Sequence, residues 1–264
     1  LWNNPPKEGA ASQGKYQLGG FRYNNMGPEK LYEQNETIQK SSKIPALIAA
    51  NVEAGGNGAV SGGTHLGEGI ACAATGDPKS AYAMGYFGCK EAAAVGCNWT
   101  FAPVVDIDFN WRNCVIPTRC FGNDPDTVLA MSKAYMEGAH KAGVACCMKH
   151  FPGDGPAENG FEPHLPIGQW RLYPTEGSMA KYHLPPFQAA FDMKASAIMP
   201  DYSRICNDGR SVPQYYRGKL TSSEAVPSAY SRELLQDLAR DTMGFTGYVP
   251  VTVTEKQVEI EQII

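Results

Sequence analysis

Two residues stand out at the end of an apolar run: Val144-Ala145-Cys146-Cys147-Met148 leads directly into Lys149-His150. Both side chains can donate hydrogen bonds into a cleft, which a hydroxyl-rich ligand requires and an apolar core does not. Arg119 offers a rigid fork of donors suited to two adjacent oxygens, or else a salt bridge to Asp124 or Asp126. Two further strand ends carry polar groups, Asn51 with Glu53 and Asp106 with Asp108. Asp106 and Asp108 share one face if their strand continues. They would accept from a ligand hydroxyl or, the favoured reading, orient Lys149 or Arg119. A third group lies in Glu162-Pro163-His164. Histidine titrates near neutrality and serves as acid and base, and a carboxylate beside it can fix its tautomer. The plainer reading of His164 is a loop histidine packed on Pro166.

The elements that must position these groups alternate. A helix is expected from Pro28 to Lys40, then a doubly buried strand over Lys43–Ala50. Asp77-Pro78 caps a helix reaching Ala92, and Thr100–Asp106 reads as a short strand. Asp124-Pro125 starts a helix ended by Gly143, and Val144–Met148 forms a strand that stops at Lys149. The Pro/Gly-rich stretch from Phe151 to Pro174 reads as an active-site loop. Beyond it come a helix over Pro186–Lys194, a strand over Ala195–Pro200, an amphipathic helix over Ser231–Thr242 and a strand over Gly247–Val253, in which Pro250 is an awkward occupant. Such alternation gives a parallel sheet with helical cover, closed as a barrel or open. A barrel gathers all its C-terminal strand ends at one mouth. An open sheet would usually advertise a glycine fingerprint, and Gly58-x-x-x-Gly62-Gly63 lacks the strand–loop–helix context for one.

Composition narrows the function classes. The 264 residues suit a single large domain, 1–264, and the formal charge of −4 argues against a broad nucleic-acid footprint. No apolar run is long enough to span a membrane. The eight cysteines include no C-x-x-C, and neighbours Cys146 and Cys147 point to opposite faces of a strand, so no metal site is expected and no cofactor either. Buried free thiols in a reducing compartment are the preferred reading; Cys114 and Cys120 would close a small loop in an exported protein. The first residues lack the basic and apolar regions of a secretion signal, which slightly favours the cytoplasm. The missing initiator Met leaves export open. Oligomeric state is not legible.

The stretch KHFPGDG (149–155) resembles the KHFPG motif of glycoside hydrolase family 3, the retaining β-glucosidases and β-N-acetylglucosaminidases. IPALIAANVEAGGNGA (44–59), GCNWTFAPVVDID (96–108), TRCFGNDPDTV (118–128), IMPDYS (198–203) and AVPSAYSRELLQDLARDTMGFTG (225–247) follow in that family's order, so the likeness runs from about residue 16 to 250. The resemblance implies an α/β fold, a (β/α)8 TIM-like barrel lacking segments at both ends, with sugar bound at its C-terminal mouth. It implies that Lys149, His150 and Arg119 hold the sugar ring, and that Asn51, with Glu53 nearby, stands where the family usually has an Asp for the same ring. It implies an acid/base dyad in Glu162 and His164, with Glu in place of the family's Asp. The expected partner is a β-linked oligosaccharide or glycoside, with a terminal N-acetylhexosamine ahead of glucose, and with neither nucleic acid nor membrane.

One position departs from the pattern. Five residues past Gly247, where the resemblance puts the nucleophilic Asp, stands Thr252; no Asp follows Asp241, and Glu255 is the next carboxylate. Threonine without an activating amine is a poor nucleophile. The expectation is therefore a longer natural product with an Asp beyond Tyr248-Val249, the alternative being a barrel that binds sugar without turnover.

Overall fold

The computed structural model describes residues 11, 13–23, 25–157, 170–172, 177–206 and 227–250. The chain divides into two compact units, Leu1–Pro103 with Lys133–Cys147, and Val104–Ser132 with Met148–Ile264.

In the first unit the strands β1 (Gly20–Arg22), β2 (Leu47–Ala50) and β3 (Trp99–Thr100) run parallel, followed by the opening residues of β4 (Ala145–Phe151). Their register is Gly20↔Leu47, Ala49↔Trp99 and Trp99↔Ala145. Helix α1 (Pro28–Lys40) is the expected one, with Pro28 in its first turn and a buried stripe of Leu31, Gln34, Asn35 and Ile38. A five-residue helix α2 (Gly69–Ala73) precedes α3 (Pro78–Ala94), which Asp77 caps by accepting from the Lys79 amide at 2.9 Å. Helix α4 (Pro125–Lys141) packs on α3 through two glycines. A Cβ on Gly85 would lie 2.2 Å from Tyr135 O, and one on Gly138 the same distance from Tyr82 O, so only hydrogen fits at either position.

Three strands differ from expectation for identifiable reasons. β2 begins at Leu47 rather than Lys43 because Gln39 occupies the backbone of Ala46, its amide donating to Ala46 O and its carbonyl accepting from Ala46 N, both at 2.9 Å. β3 is cut to two residues because Pro103 brings no N–H; pairing resumes at Val104, bridged to Lys149. β4 does not stop at Met148 but continues through Lys149 and His150 to Phe151, since Val105 N donates to Lys149 O at 2.9 Å. β1 was hidden by its three-residue length in a polar stretch.

In the second unit, the end of β4 is joined by Asp201 N donating to Phe151 O at 2.9 Å, beside β6 (Ala197–Pro200). β5 (Trp170–Leu172) and β7 (Arg204–Cys206) form a separate parallel pair. The expected helix over 186–194 starts earlier, as a π turn Met179–His183 that runs into α5 (Leu184–Asp192). The amphipathic helix is present over Glu233–Thr242 with π-type hydrogen bonds, and buries Leu234, Leu238 and Ala239. Of the strand expected over 247–253, Tyr248 pairs with Ala197, and residues from 251 lie outside those described. No described helix is long and apolar enough to cross a membrane.

Candidate active site

The described candidates Asp106, Asp108, Arg119, Lys149 and His150 all belong to the second unit, while Asn51 and Glu53 belong to the first. Lys149 and His150 occupy the last half of β4, where the strand alternation that buries Lys149 to 3% leaves the His150 side chain 18% exposed. Asp106 follows the Val104–Val105 pairing and is 1% exposed. Its carboxylate is the centre of the cluster. Oδ2 lies 2.7 Å from His150 Nδ1 and 3.1 Å from His150 N, and Oδ1 accepts from Asp154 N at 2.6 Å. A buried carboxylate is tolerable when donors converge on it in this way. Asp106 thus orients His150, a partner that the sequence did not single out. β4 runs three residues further than expected and brings the histidine opposite the acid.

With Nδ1 donating its proton to Asp106, Nε2 is the ring nitrogen left to accept from or donate to a ligand. Asp108 is turned differently: its amide donates to Gly122 O at 2.9 Å, and partial burial raises its carboxyl above the usual range. Arg119 is half-buried in the turn after Ile116, whose carbonyl accepts its amide at 2.9 Å. Asn51 and Glu53 are each half-buried around Val52. Glu162 and His164 lie outside the described residues, as do Thr252 and Glu255.

Sequence reasoning missed the residues that support this cluster. Asn113 donates from Nδ2 to Asp154 O at 2.7 Å, while its Oδ1 accepts from Val115 N and Ile116 N. Gly155 is pressed so near the loop after Asp106 that a Cβ there would lie 1.6 Å from Ile107 O. Asp201, at the end of β6, is 3% exposed and accepts from Ser203 N at 2.6 Å. Its signal was available: Ile198-Met199-Pro200-Asp201 is another apolar run ending in acid.

Cys72, Cys89, Cys97, Cys114, Cys120, Cys146 and Cys147 are free, all buried except the exposed Cys114. A Cys114–Cys120 bridge is not formed, because Cys120 faces inward with Sγ on Gly122 O at 3.6 Å. Burial, followed by the nearby Asp106 and Asp108 charges, pushes the Cys120 thiol up to about 11, although its bond to Gly122 opposes the rise. Among the described residues no cluster of three or more His, Cys, Asp or Glu could hold a metal ion.

Comparison with known proteins fits this geometry. The Glycosyl hydrolase family 3 N terminal domain matches residues 13–262. A β-N-acetylglucosaminidase/β-glucosidase of Cellulomonas fimi is 34% identical over 238 residues, covering 88% of this chain and 40% of its own length. The solved structure of the β-glucoside phosphorylase BglX bound to 2FGlc superposes with a TM-score of 0.83 at 31% identity, over 94% of this chain and 44% of that one. A Paenibacillus family 3 β-N-acetylglucosaminidase shares the fold with a TM-score of 0.79 at 24% identity, over 94% of this chain and 46% of that one. The fold class is accordingly the α/β, TIM-like barrel of these relatives. The chain spans about two-fifths of the length of the Cellulomonas relative. Parallel strands, a carboxylate-held histidine at the KHFPG strand end and a match over nearly the whole length lead to one assignment: this chain belongs to glycosyl hydrolase family 3, as its N-terminal domain.

Proposed function

We propose that the protein is an exo-acting retaining β-glycoside hydrolase that releases a terminal β-linked N-acetylhexosamine, with this chain holding the sugar. The observation that carries the proposal is the Asp106–His150 pair at 2.7 Å beside the buried Lys149. In this reading Lys149 and the His150 Nε2 hydrogen-bond the hydroxyls of the terminal ring, and Arg119 spans two adjacent oxygens. His164, tuned by Glu162, protonates the leaving oxygen and then activates the acceptor. A retaining mechanism further requires a carboxylate approaching the anomeric carbon from the face opposite the leaving group.

The experiment is hydrolysis of nitrophenyl β-N-acetylglucosaminide against nitrophenyl β-glucoside, followed by labelling with an activated 2-fluoro sugar and peptide mapping. Faster N-acetylglucosaminide turnover and a labelled carboxylate are expected. Faster glucoside turnover would move the substrate to glucose, and binding without any product would leave a sugar-binding barrel in place of an enzyme.

A second reading has its own support. The relative of known structure at 31% identity is a β-glucoside phosphorylase, and the Cellulomonas relative carries both sugar specificities in its name. A histidine acid/base becomes neutral after giving up its proton, so it repels an incoming phosphate less than a carboxylate would. Running both substrates with and without inorganic phosphate separates the two: a sugar 1-phosphate product identifies the phosphorylase, and free sugar alone identifies the hydrolase.

A further inference from the structure

Asn113 lies between two turns of the second unit, one leading to Arg119 and the other following His150, and its side-chain amide reaches both. Its Oδ1 accepts from Val115 N at 2.9 Å and from Ile116 N at 3.1 Å, within the turn that leads to Arg119. Ile116 O accepts in its turn from Arg119 N at 2.9 Å, and the Ile116 side chain is buried with Val104 and Cys120. In the other direction Nδ2 donates to Asp154 O at 2.7 Å, across 41 residues of sequence. That carbonyl also accepts from Ala157 N at 3.0 Å, while Asp154 N donates to the Asp106 carboxylate that holds His150. One side chain therefore joins the Arg119 turn to the His150 turn.

The residue type shows which of these bonds is the demanding one. Closing the local turn needs only an acceptor, which Asp or Ser supplies about as well. Reaching Asp154 O at the same time needs a donor on a different atom, and among short side chains only the Asn amide carries the two without charge. Asn113 is 5% exposed, so water does not take over a bond that is cut.

We propose that Asn113 is a positioning residue, which sets the Arg119 guanidinium relative to His150 so that both grip one sugar ring. The proposal rests on the reading of Lys149, His150 and Arg119 as the holders of the terminal ring. A guanidinium at the end of a long side chain magnifies any rocking of its backbone, and a two-pronged contact with adjacent hydroxyls tolerates little of it. Asn113 itself is buried and acts through the two turns.

The test is calorimetric binding of N-acetylglucosamine and of glucose to the parent, Asn113→Ala, Asn113→Asp, Arg119→Lys and the double variant of Asn113→Ala with Arg119→Lys. Asn113→Ala should weaken the better-bound sugar about tenfold. Asn113→Asp should lose nearly as much, since it keeps the acceptor for Val115 and Ile116 but brings no donor to Asp154 O. In the Arg119→Lys background, Asn113→Ala should cost little more, because a flexible ammonium has no fork to position. Parent-like affinity in Asn113→Asp, or losses that add in the double variant, overturns the proposal and leaves the hydrolase reading intact. If Asn113→Ala does not fold, Asn113→Asp takes its place in the double variant. Should the parent bind neither sugar, the sugar-holding reading fails, and amide hydrogen exchange judges Asn113 separately. Faster exchange at both Arg119 and Ala157 in the Asn113 variant then supports its joining of the turns, and any narrower change overturns it.

Discussion

After β2, the backbone at Val52 is held by neutral partners packed in from several sides. Its amide donates to Thr100 Oγ1 at 3.2 Å, its carbonyl accepts from the Tyr135 hydroxyl, and Gly58 passes so close that a Cβ would lie 1.6 Å from Asn51 O. After Val105, by contrast, a single buried carboxylate gathers His150 and the Asp154 amide. The first strand end is thus fixed by shape, with its polar needs met in small neutral increments. The second is fixed by charge, with several donors sharing one acceptor. Shape tolerates the loss of one hydrogen bond but no added atom; a charge centre fails when its one acceptor goes.

The largest expected effect follows from that concentration. Asp106→Ala leaves the Asp154 amide and the His150 ring and amide buried without their acceptor, and should lower folding stability by about 3–5 kcal/mol. Urea unfolding of mutant and parent measures it, and a loss below about 1 kcal/mol would show that the carboxylate is dispensable. Asp106→Asn sharpens the point. Its carbonyl still accepts from a backbone amide, but its NH2 facing Nδ1 would make that nitrogen the acceptor and put the ring proton on Nε2. Stability should largely return while sugar affinity does not.

Next in size is Gly58→Ala, which should cost about 3 kcal/mol by forcing Asn51 and Gly58 apart. The loss should come with a lower midpoint and displaced Asn51 chemical shifts, without change at His150. If the mutant is as stable as the parent, the close approach is not part of the restraint on this strand end.

The contrast also explains what the sequence made legible. Helices α1, α3 and α4 were readable because local rules govern their starts, at Pro28, Asp77-Pro78 and Asp124-Pro125. Strand edges were less readable because nonlocal partners set them. Gln39 shortens β2, and Val105 lengthens β4. Lys149, His150 and Asp106 were identifiable as polar groups ending apolar runs, but which of them meet could not be read without the register. Asn113 and Gly155 were invisible for the same reason, since their importance lies in backbone contacts 41 residues or more away in sequence, as in Asn113 Nδ2 on Asp154 O.

A smaller effect is expected from Thr100→Val. The hydroxyl accepts from Val52 N and donates to Ala50 O, both at 3.2 Å, and valine nearly preserves its volume. The loss should be about 1 kcal/mol, the net worth of one neutral hydrogen bond, because Tyr135 still holds the Val52 carbonyl. A loss as large as that of Asp106→Ala would erase the distinction between the two strand ends.

The smallest effect, and the one that reads both regions at once, comes from the thiols. Cys114 is exposed and should alkylate quickly at pH 8 without shifting the unfolding midpoint. Cys120 in the second unit is pushed up to about 11, chiefly by burial, and Cys97 in the first likewise to about 11, with its Sγ 2.6 Å from the Tyr23 hydroxyl. Raised thiols are protonated at pH 8 and buried ones are out of reach, so each labels only when its surroundings open. Cys120 lies beside the Asp106 cluster, whose charge adds to its raised value, and Cys97 does not. Asp106→Ala should therefore speed Cys120 labelling far more than Cys97 labelling under native conditions, while Gly58→Ala should do the reverse. Mass spectrometry of peptides after timed alkylation gives both rates in one experiment. Equal acceleration of the two thiols by either mutation would mean that the strand ends open together, and that charge and shape restrain a single cooperative unit rather than two.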